Sequence, residues 1–329
     1  MRRNGWERMM GRMVDGAWQA DEGGTPGSGG RFQRPETQFR DRIAPGTRFA
    51  PAAGRYHLYV SLACPWAHRT LIVRHLKGLE ELVSLSVTHW LMGEQGWSFE
   101  PGEGVIPDAV NGARYLHEVY AKAAPRYSGR ATVPVLWDRQ EGTIVNNESA
   151  DVIRILNSAF DGIGARPGDW YPPPLRAEIE AVNERVYATL NNGVYRAGFA
   201  RSQVAYEEAV RPLFATLDWL EERLARQPFL CGEAATEADW RLFTTLIRFD
   251  AVYHGHFKCN LRRLVDYPAL WDYTRSLYQH AGVWRTVDFD HIKRHYYQSH
   301  PWVNPSRIVP LGPILGLDAP GSRRVAPLG

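Results

Sequence analysis

The chain has 329 residues, 44% hydrophobic and 23% charged, with a formal net charge of +3. That length allows two domains and a sizeable core, and so small a charge gives no reason to expect a nucleic-acid partner. No apolar run approaches the roughly 20 residues of a membrane span, so no membrane partner is expected either.

Residues 1–50 are rich in Gly, Arg and Pro without a clear period, and 21–30 (DEGGTPGSGG) is flexible by composition. They read as an N-terminal extension. The basic start has no apolar core after it, and Glu7, Asp15, Asp21 and Glu22 argue against a transit peptide. Cys64, Cys231 and Cys259 are odd in number and far apart, which argues against a disulfide framework and for a reducing compartment. A cytoplasmic location is expected.

Residues 51–160 alternate strand and helix signals. His57–Ala63 predicts a strand, and Pro65–Lys77 a helix with Pro at its first position, where the missing N–H costs nothing. Between them stands Cys64-Pro65-Trp66-Ala67. The thiol then faces the unpaired N–H groups and positive dipole end of the helix, where it ionises more readily and becomes a nucleophile. Leu82–His89 predicts a second strand, completing a parallel crossover. Residues 90–129 are a long Gly/Pro-rich insertion with one helix near Asn111–Ala123. Thr132–Trp137 and Gly142–Asn146 predict a hairpin, and Ser149–Phe160 a closing helix.

The order is β-α-β then β-β-α, with a cysteine at the start of the first helix. This is the thioredoxin-like layout. CPWA lacks the second cysteine of a C-x-x-C pair, so the chemistry needs an external thiol, and glutathione is the obvious one in a reducing cytosol. Val133-Pro134 suits a cis bond beside the cysteine, presenting the Val133 backbone to glutathione; the competing reading is a trans Pro opening an edge strand. Ser149 at or near a helix N-cap, with Glu148, could hold the γ-glutamyl end; the competing reading is a plain cap.

Asp161–Pro174 contains four Pro and three Gly and reads as a linker. Residues 175–300 are helical in pattern, at 175–192, 203–226, 236–250, 267–280 and about 288–297, which predicts an all-α domain. Thr236 and Asp239 have capping-box spacing. Residues 301–329 read as an irregular tail. His254-x-His256-x-x-Cys259 and the pair His291 and His295 look like metal patterns, but neither supplies a complete set of four ligands at zinc spacing, so no metal is expected. His68, one turn beyond Cys64, reads as structural.

Several stretches together resemble the glutathionyl-hydroquinone reductases, the Xi class of glutathione transferases. They are Gly30–Arg34 with Phe39-Arg40, Ser61–Arg69 (SLACPWAHR), Gly96-Trp97, Gly129–Trp137 (GRATVPVLW), Thr143–Ser149 (TIVNNES), Thr236–Phe243 (TEADWRLF), His256–Asn260 (HFKCN) and His291–His300 (HIKRHYYQSH). The similarity runs from about residue 30 to about 315. It implies an N-terminal thioredoxin-like domain with an all-α C-terminal domain, the glutathione transferase fold, assembled as a homodimer.

The resemblance further implies glutathione-dependent reduction of glutathionyl-hydroquinones through a mixed disulfide on Cys64, releasing glutathione disulfide. Tyr195, Tyr253 and Tyr296 would bind the hydroquinone oxygens and assist protonation. Trp97, Arg130, Val133, Glu148 and Ser149 would contact glutathione as co-substrate. Tyr297 adjoins Tyr296, and helical neighbours point about 100° apart, so only one of them faces the pocket; Tyr296 is chosen. Two alternatives stand beside this: an omega-like deglutathionylase or dehydroascorbate reductase, and a non-catalytic scaffold that only binds partners.

Overall fold

The computed structural model describes residues 11–20 and 26–325. Residues 1–10, 21–25 and 326–329, the outer parts of the expected extension and tail, lie outside the described residues. In chain order the strands are β1 (Arg12–Val14), β2 (Ala17–Gln19), β3 (Pro26–Gly27), β4 (Arg31–Phe32), β5 (Tyr56–Val60), β6 (Val83–Val87), β7 (Val135–Asp138) and β8 (Thr143–Asn146). The α-helices are α1 (Pro65–Leu76), α2 (Leu116–Ala123), α3 (Ser149–Ser158), α4 (Arg176–Val186), α5 (Gly193–Gly198), α6 (Gln203–Leu224), α7 (Glu237–Arg248), α8 (Pro268–Gln279) and α9 (Phe289–Ser299).

The chain forms two compact units. The first holds Pro35–Pro167, Asp288–Val309 and the described part of Met1–Gly24. Its centre is a four-stranded mixed sheet in the order β6-β5-β7-β8, with β5 parallel to β6 and antiparallel to β7. This is the expected parallel crossover followed by a hairpin. β5 is buried along its whole length, and nine of the twelve residues of α1 are buried, so neither shows a regular alternation of buried and exposed positions. Each fully buried Val or Leu here contributes roughly 1.5–3 kcal/mol.

Several polar groups caught in this core are paired. The two nitrogens of His57 meet the hydroxyls of Ser84 at 2.7 Å and Ser86 at 2.9 Å on β6. Burial pushes His57 down to about 4. Lys77, fully buried, donates to the Asp161 carboxylate at 2.7 Å.

Two parts of this unit differ from the expectation. Residues 11–20 are a hairpin, turning at Asp15-Gly16 with φ of 46° and 80°. Two positive φ values in sequence match the twist of a tight hairpin. Met13 and Gly129 exchange backbone hydrogen bonds at 2.8 and 3.0 Å, which ties the hairpin to the insertion. Helix α2 begins at Leu116 rather than near Asn111. The Asp108 carboxylate accepts from the amides of Val110, Asn111 and Ala113, which holds that stretch as a loop until the Tyr115–Glu118 capping box starts the helix.

The second unit holds Gly168–Val287 and the described parts of Thr25–Arg34 and of the tail from Pro310. It is helical, as expected, with the short β3–β4 pair beside it. Every residue of α7 is buried. Several of its polar side chains find partners inside the unit: Arg241 pairs with Glu237 at 3.1 Å, and Thr245 accepts from Asn191 at 2.8 Å. The Thr236–Asp239 capping box forms as the spacing predicts. Asp239 also accepts from the Leu230 amide at 2.9 Å and the Tyr273 phenol at 2.8 Å.

Helix α9 was expected with the helical domain. Its contacts place it in the first unit instead, because Ser299 and His295 bond the backbone of residues 90–92. The boundary near residue 167 falls inside the expected linker.

Candidate functional site

The nucleophile candidate comes from the shortest stretch of local logic. β5 ends at Val60, the chain turns through Ser61–Ala63, and Cys64 is the N-cap of α1 with Pro65 at the first helical position. The Cys64 backbone is extended, φ −78° and ψ 121°, and its thiol is half-buried. Sγ lies 3.9 Å from the Val133 carbonyl, to which it donates. The Val133–Pro134 bond is cis. Val133 itself is buried at the mouth of β7.

A second helix N-terminus belongs to the same unit. The N-cap of α3 is Glu148, and Ser149 is its first helical residue. A carboxylate there complements the helix dipole. One Glu148 oxygen accepts from the Ala150 amide at 3.2 Å and the Ser149 hydroxyl at 3.4 Å, while the other accepts from the Thr37 hydroxyl at 3.3 Å. Arg69, buried on α1, donates to the Ser149 hydroxyl at 3.5 Å and lies over the Trp66 ring at 4.5 Å. Arg69 thus joins the helix of Cys64 to the helix start at Ser149. Sequence reasoning passed over it, although an arginine just over one turn beyond the cysteine, on a helix directly after a buried strand, was a usable signal.

Trp97 is 8% exposed and is held within the insertion, where its carbonyl accepts from the Leu116 amide at 2.9 Å. The preceding Gly96 has φ of 71°, and a β-carbon there would sit 3.0 Å from the Trp18 ring. Trp18 also donates to the Glu94 carbonyl at 3.0 Å, so the N-terminal hairpin braces this loop. Arg130 is half-buried, and its carbonyl accepts from the Tyr127 phenol at 3.1 Å.

The three phenols divide between the units. Tyr296, on α9, is 1% exposed and packs edge-on against His295 and His300, while Tyr297 is half-buried. Tyr195 and Tyr253 fall in the second unit, with ring centroids 6.2 Å apart. Both rings touch Phe257, Tyr253 by stacking and Tyr195 edge-on. Each follows or ends a π-helical turn, Tyr187–Asn191 before α5 and Phe249–Tyr253 after α7, a distortion found often at functional sites. The Arg34 guanidinium lies 5.1 Å from the Tyr195 ring centre, and its Nε donates to Asn192 at 3.2 Å. Arg34 stands in the Gly30–Arg34 stretch, whose residues carried no role in the sequence reading.

The other two thiols differ in kind. Burial pushes Cys231 up to about 12 and raises Cys259 further, so both are inert where Cys64 is accessible. None of the three cysteines is in a disulfide. Among the described residues no group of three or more His, Cys, Asp or Glu is arranged to hold a metal. His291 and His295 bond the carbonyls of Glu103 and Trp90, at 2.6 and 2.9 Å. Among the described residues no helix is long and apolar enough to cross a membrane.

Comparison with known proteins follows the two units. Residues 63–159 match the glutathione S-transferase N-terminal domain, and residues 203–276 its C-terminal domain. The sequence is 58% identical over 304 residues to the glutathionyl-hydroquinone reductase PcpF of Sphingobium chlorophenolicum, covering 92% of this chain and 96% of that protein. It is 50% identical over 325 residues to the glutathionyl-hydroquinone reductase YqjG of Escherichia coli, covering 96% and 99%. The glutathione-bound structure of YqjG superposes with a TM-score of 0.88 at 47% identity, over 95% of this chain and 99% of that one. A Xi class transferase from Natrialba magadii superposes at 0.90 with 48% identity, over 96% and 97%.

Proposed function

The chain belongs to the glutathionyl-hydroquinone reductases, the Xi class of glutathione transferases, and we propose that it reduces glutathionyl-hydroquinones with glutathione through a mixed disulfide on Cys64. The observation that carries this reading is Cys64 at the N-terminus of α1, accessible and 3.9 Å from the Val133 carbonyl. The helix end favours the thiolate, and the neighbouring carbonyl offers a backbone partner for the cysteinyl part of glutathione.

The Cys64 thiolate attacks the glutathione sulfur of the conjugate. An S–S bond forms, the carbon–sulfur bond breaks, and its electron pair stays on the ring carbon, which takes a proton to give the hydroquinone. A second glutathione, as thiolate, attacks the mixed disulfide at the glutathione sulfur. This releases glutathione disulfide and restores the Cys64 thiolate. Across the cycle the two electrons that reduce the ring come from the incoming glutathione and the glutathionyl sulfur of the conjugate, and Cys64 is returned unchanged.

Loss of a carbon leaving group needs hydrogen-bond donors at the ring oxygens and a proton at carbon. Tyr195, Tyr253 and Tyr296 are assigned these tasks, a phenol being a good donor to a developing phenolate. Trp97, Arg130, Val133, Glu148 and Ser149 are assigned to glutathione. Arg130 suits one of its carboxylates, and Glu148 suits its ammonium group. The hydrogen-bonded Glu148–Ser149 pair at the start of α3 supports this assignment. Glutathione is the only co-substrate the reaction needs, and no metal enters it. The cytoplasm is the proposed compartment, consistent with three cysteines outside any disulfide. A homodimer is the proposed assembly.

The test is a glutathione-dependent assay on the menadiol conjugate, measuring free hydroquinone and glutathione disulfide in equal amounts. Turnover by the full chain with loss in Cys64→Ala supports the reading. Glutathione binding without turnover overturns it in favour of another disulfide-exchange substrate or a binding scaffold.

A further inference from the structure

Trp97 is assigned above to cover glutathione, and the helix α9 holds it from behind. His295 on α9 is 7% exposed, and its ring lies on the Trp97 indole with centroids 4.8 Å apart and planes 25° from parallel. The edge of the same imidazole is fixed as well. Nδ1 is 2.9 Å from the Trp90 carbonyl, and because a carbonyl only accepts, Nδ1 carries the hydrogen. The Ser299 hydroxyl lies 3.3 Å from Nδ1 and accepts from the Met92 amide at 3.0 Å. Trp90, Met92 and Trp97 belong to one stretch of the insertion, so a single helix turn grips its start through hydrogen bonds and its indole through a ring face. One turn earlier, His291 bonds the Glu103 carbonyl at 2.6 Å, at the far end of the same loop.

A ring held at its edge cannot swing, and an indole lying flat on it loses freedom in turn. We propose that His295 is a positioning residue for glutathione: it sets the plane of the Trp97 indole against which the tripeptide docks. The proposal rests on the reading of Trp97 as a glutathione contact. It gives the His291/His295 pair, which resembles a metal pattern in sequence, a mechanical task.

The experiment is a double-mutant cycle on the full chain, with glutathione affinity measured by calorimetry and KM and kcat from the menadiol-conjugate assay. His295→Ala is expected to weaken glutathione binding about three- to tenfold, the scale of a lost aromatic contact, and to raise KM for glutathione with kcat nearly unchanged. In a Trp97→Ala background the same substitution is expected to cost nothing further. His295→Gln keeps a donor for the Trp90 carbonyl but removes the ring; it is expected to lose affinity like His295→Ala, and it serves if the alanine variant folds poorly. Wild-type affinity in His295→Gln, or full additivity with Trp97→Ala, overturns the proposal. Unchanged affinity in Trp97→Ala alone overturns the reading of Trp97 beneath it, and the proposal with it, and is told apart because it does not involve His295.

Discussion

The Cys64 thiol and the Val133 carbonyl lie 3.9 Å apart, although 69 residues separate them in the chain. β5 and β7 are neighbours in the sheet, so the turn after one strand and the entry to the other meet at the same edge. The proposed nucleophile is thereby set beside a backbone acceptor without any side chain being required to orient it. Cys64→Ala is expected to lower reductase turnover by at least ~10³-fold, as when other covalent nucleophiles are removed. Mass spectrometry of the wild type mixed with the conjugate alone is expected to show one glutathione adduct per chain; an adduct that persists in Cys64→Ala would place the chemistry elsewhere.

Tyr195 combines slight exposure with a nearby cation, Arg34 at 5.1 Å from its ring centre. Tyr195→Phe is expected to slow hydroquinone release in a single turnover about 10- to 100-fold, within the usual range for losing a proton donor. Glutathione affinity, which involves other residues, is expected to stay within about twofold. Equal single-turnover rates in the two proteins would remove Tyr195 from the reaction.

Gly198 on α5 has no room for a side chain: a β-carbon there would lie 2.2 Å from the Phe257 ring. Because Phe257 touches both Tyr195 and Tyr253, displacing it disturbs the two phenols together. Gly198→Ala is expected to cost about 1–3 kcal/mol in urea unfolding, the usual range for overpacking. It is also expected to slow hydroquinone release more than it weakens glutathione binding. A variant as stable and as fast as wild type would mean that the ring moves aside freely.

Asp239 is fully buried and accepts from two backbone amides and two hydroxyls, those of Leu230, Thr236 and Tyr273. Burial raises its affinity for a proton, while these donors pull the other way. Asp239→Ala strands all four donors and is expected to destabilise the chain by about 3 kcal/mol. Chemical denaturation followed by circular dichroism measures it, and a loss below about 1 kcal/mol would mean that water replaces the carboxylate.

His57 is buried and neutral between two serines, and its folded value of about 4 lies below the ordinary 6.5. The unfolded chain therefore takes up a proton on this ring before the native chain does. Its contribution is fully present above pH ~6.5, declines as pH falls to ~4, and amounts to about 3 kcal/mol across that window. His57→Asn is expected to start from lower stability but to show a shallower decline between pH 7 and 4.5. Equal slopes for the two proteins in urea titrations would place the acid sensitivity elsewhere.

What was legible in the sequence was local. The strand, cysteine, proline and helix around Cys64 follow from a few adjacent residues, and so does the capping box at Thr236–Asp239, because each is stabilised within one turn of chain. The hairpin at 11–20 was missed: Asp15-Gly16 is a hairpin signal, but its three-residue flanking strands lack an alternating run long enough to register. α2 was read too early because the loop before it is organised by one carboxylate, Asp108, which captures three amides two to five residues on, a local competition with the helix that the apolar period does not reveal. The separate helix carrying Tyr195 was hidden by a π-turn, which breaks the 3.6-residue period without a proline. The grip of His295 on Trp90 spans 205 residues, and no local pattern encodes it.

The two units are threaded through one another along the chain: the first takes in 35–167 and then 288–309, and the second takes 168–287 and the tail from 310. A chain emerging from the ribosome therefore presents Cys64 and its sheet long before α9 exists to brace the Trp97 loop. The thiol-bearing half stays unfinished until nearly the whole polypeptide has been made. Dividing the gene at the linker would yield a fragment that has Cys64 but lacks Tyr296 and His295. The order of synthesis thus withholds a complete first unit from any product truncated before α9.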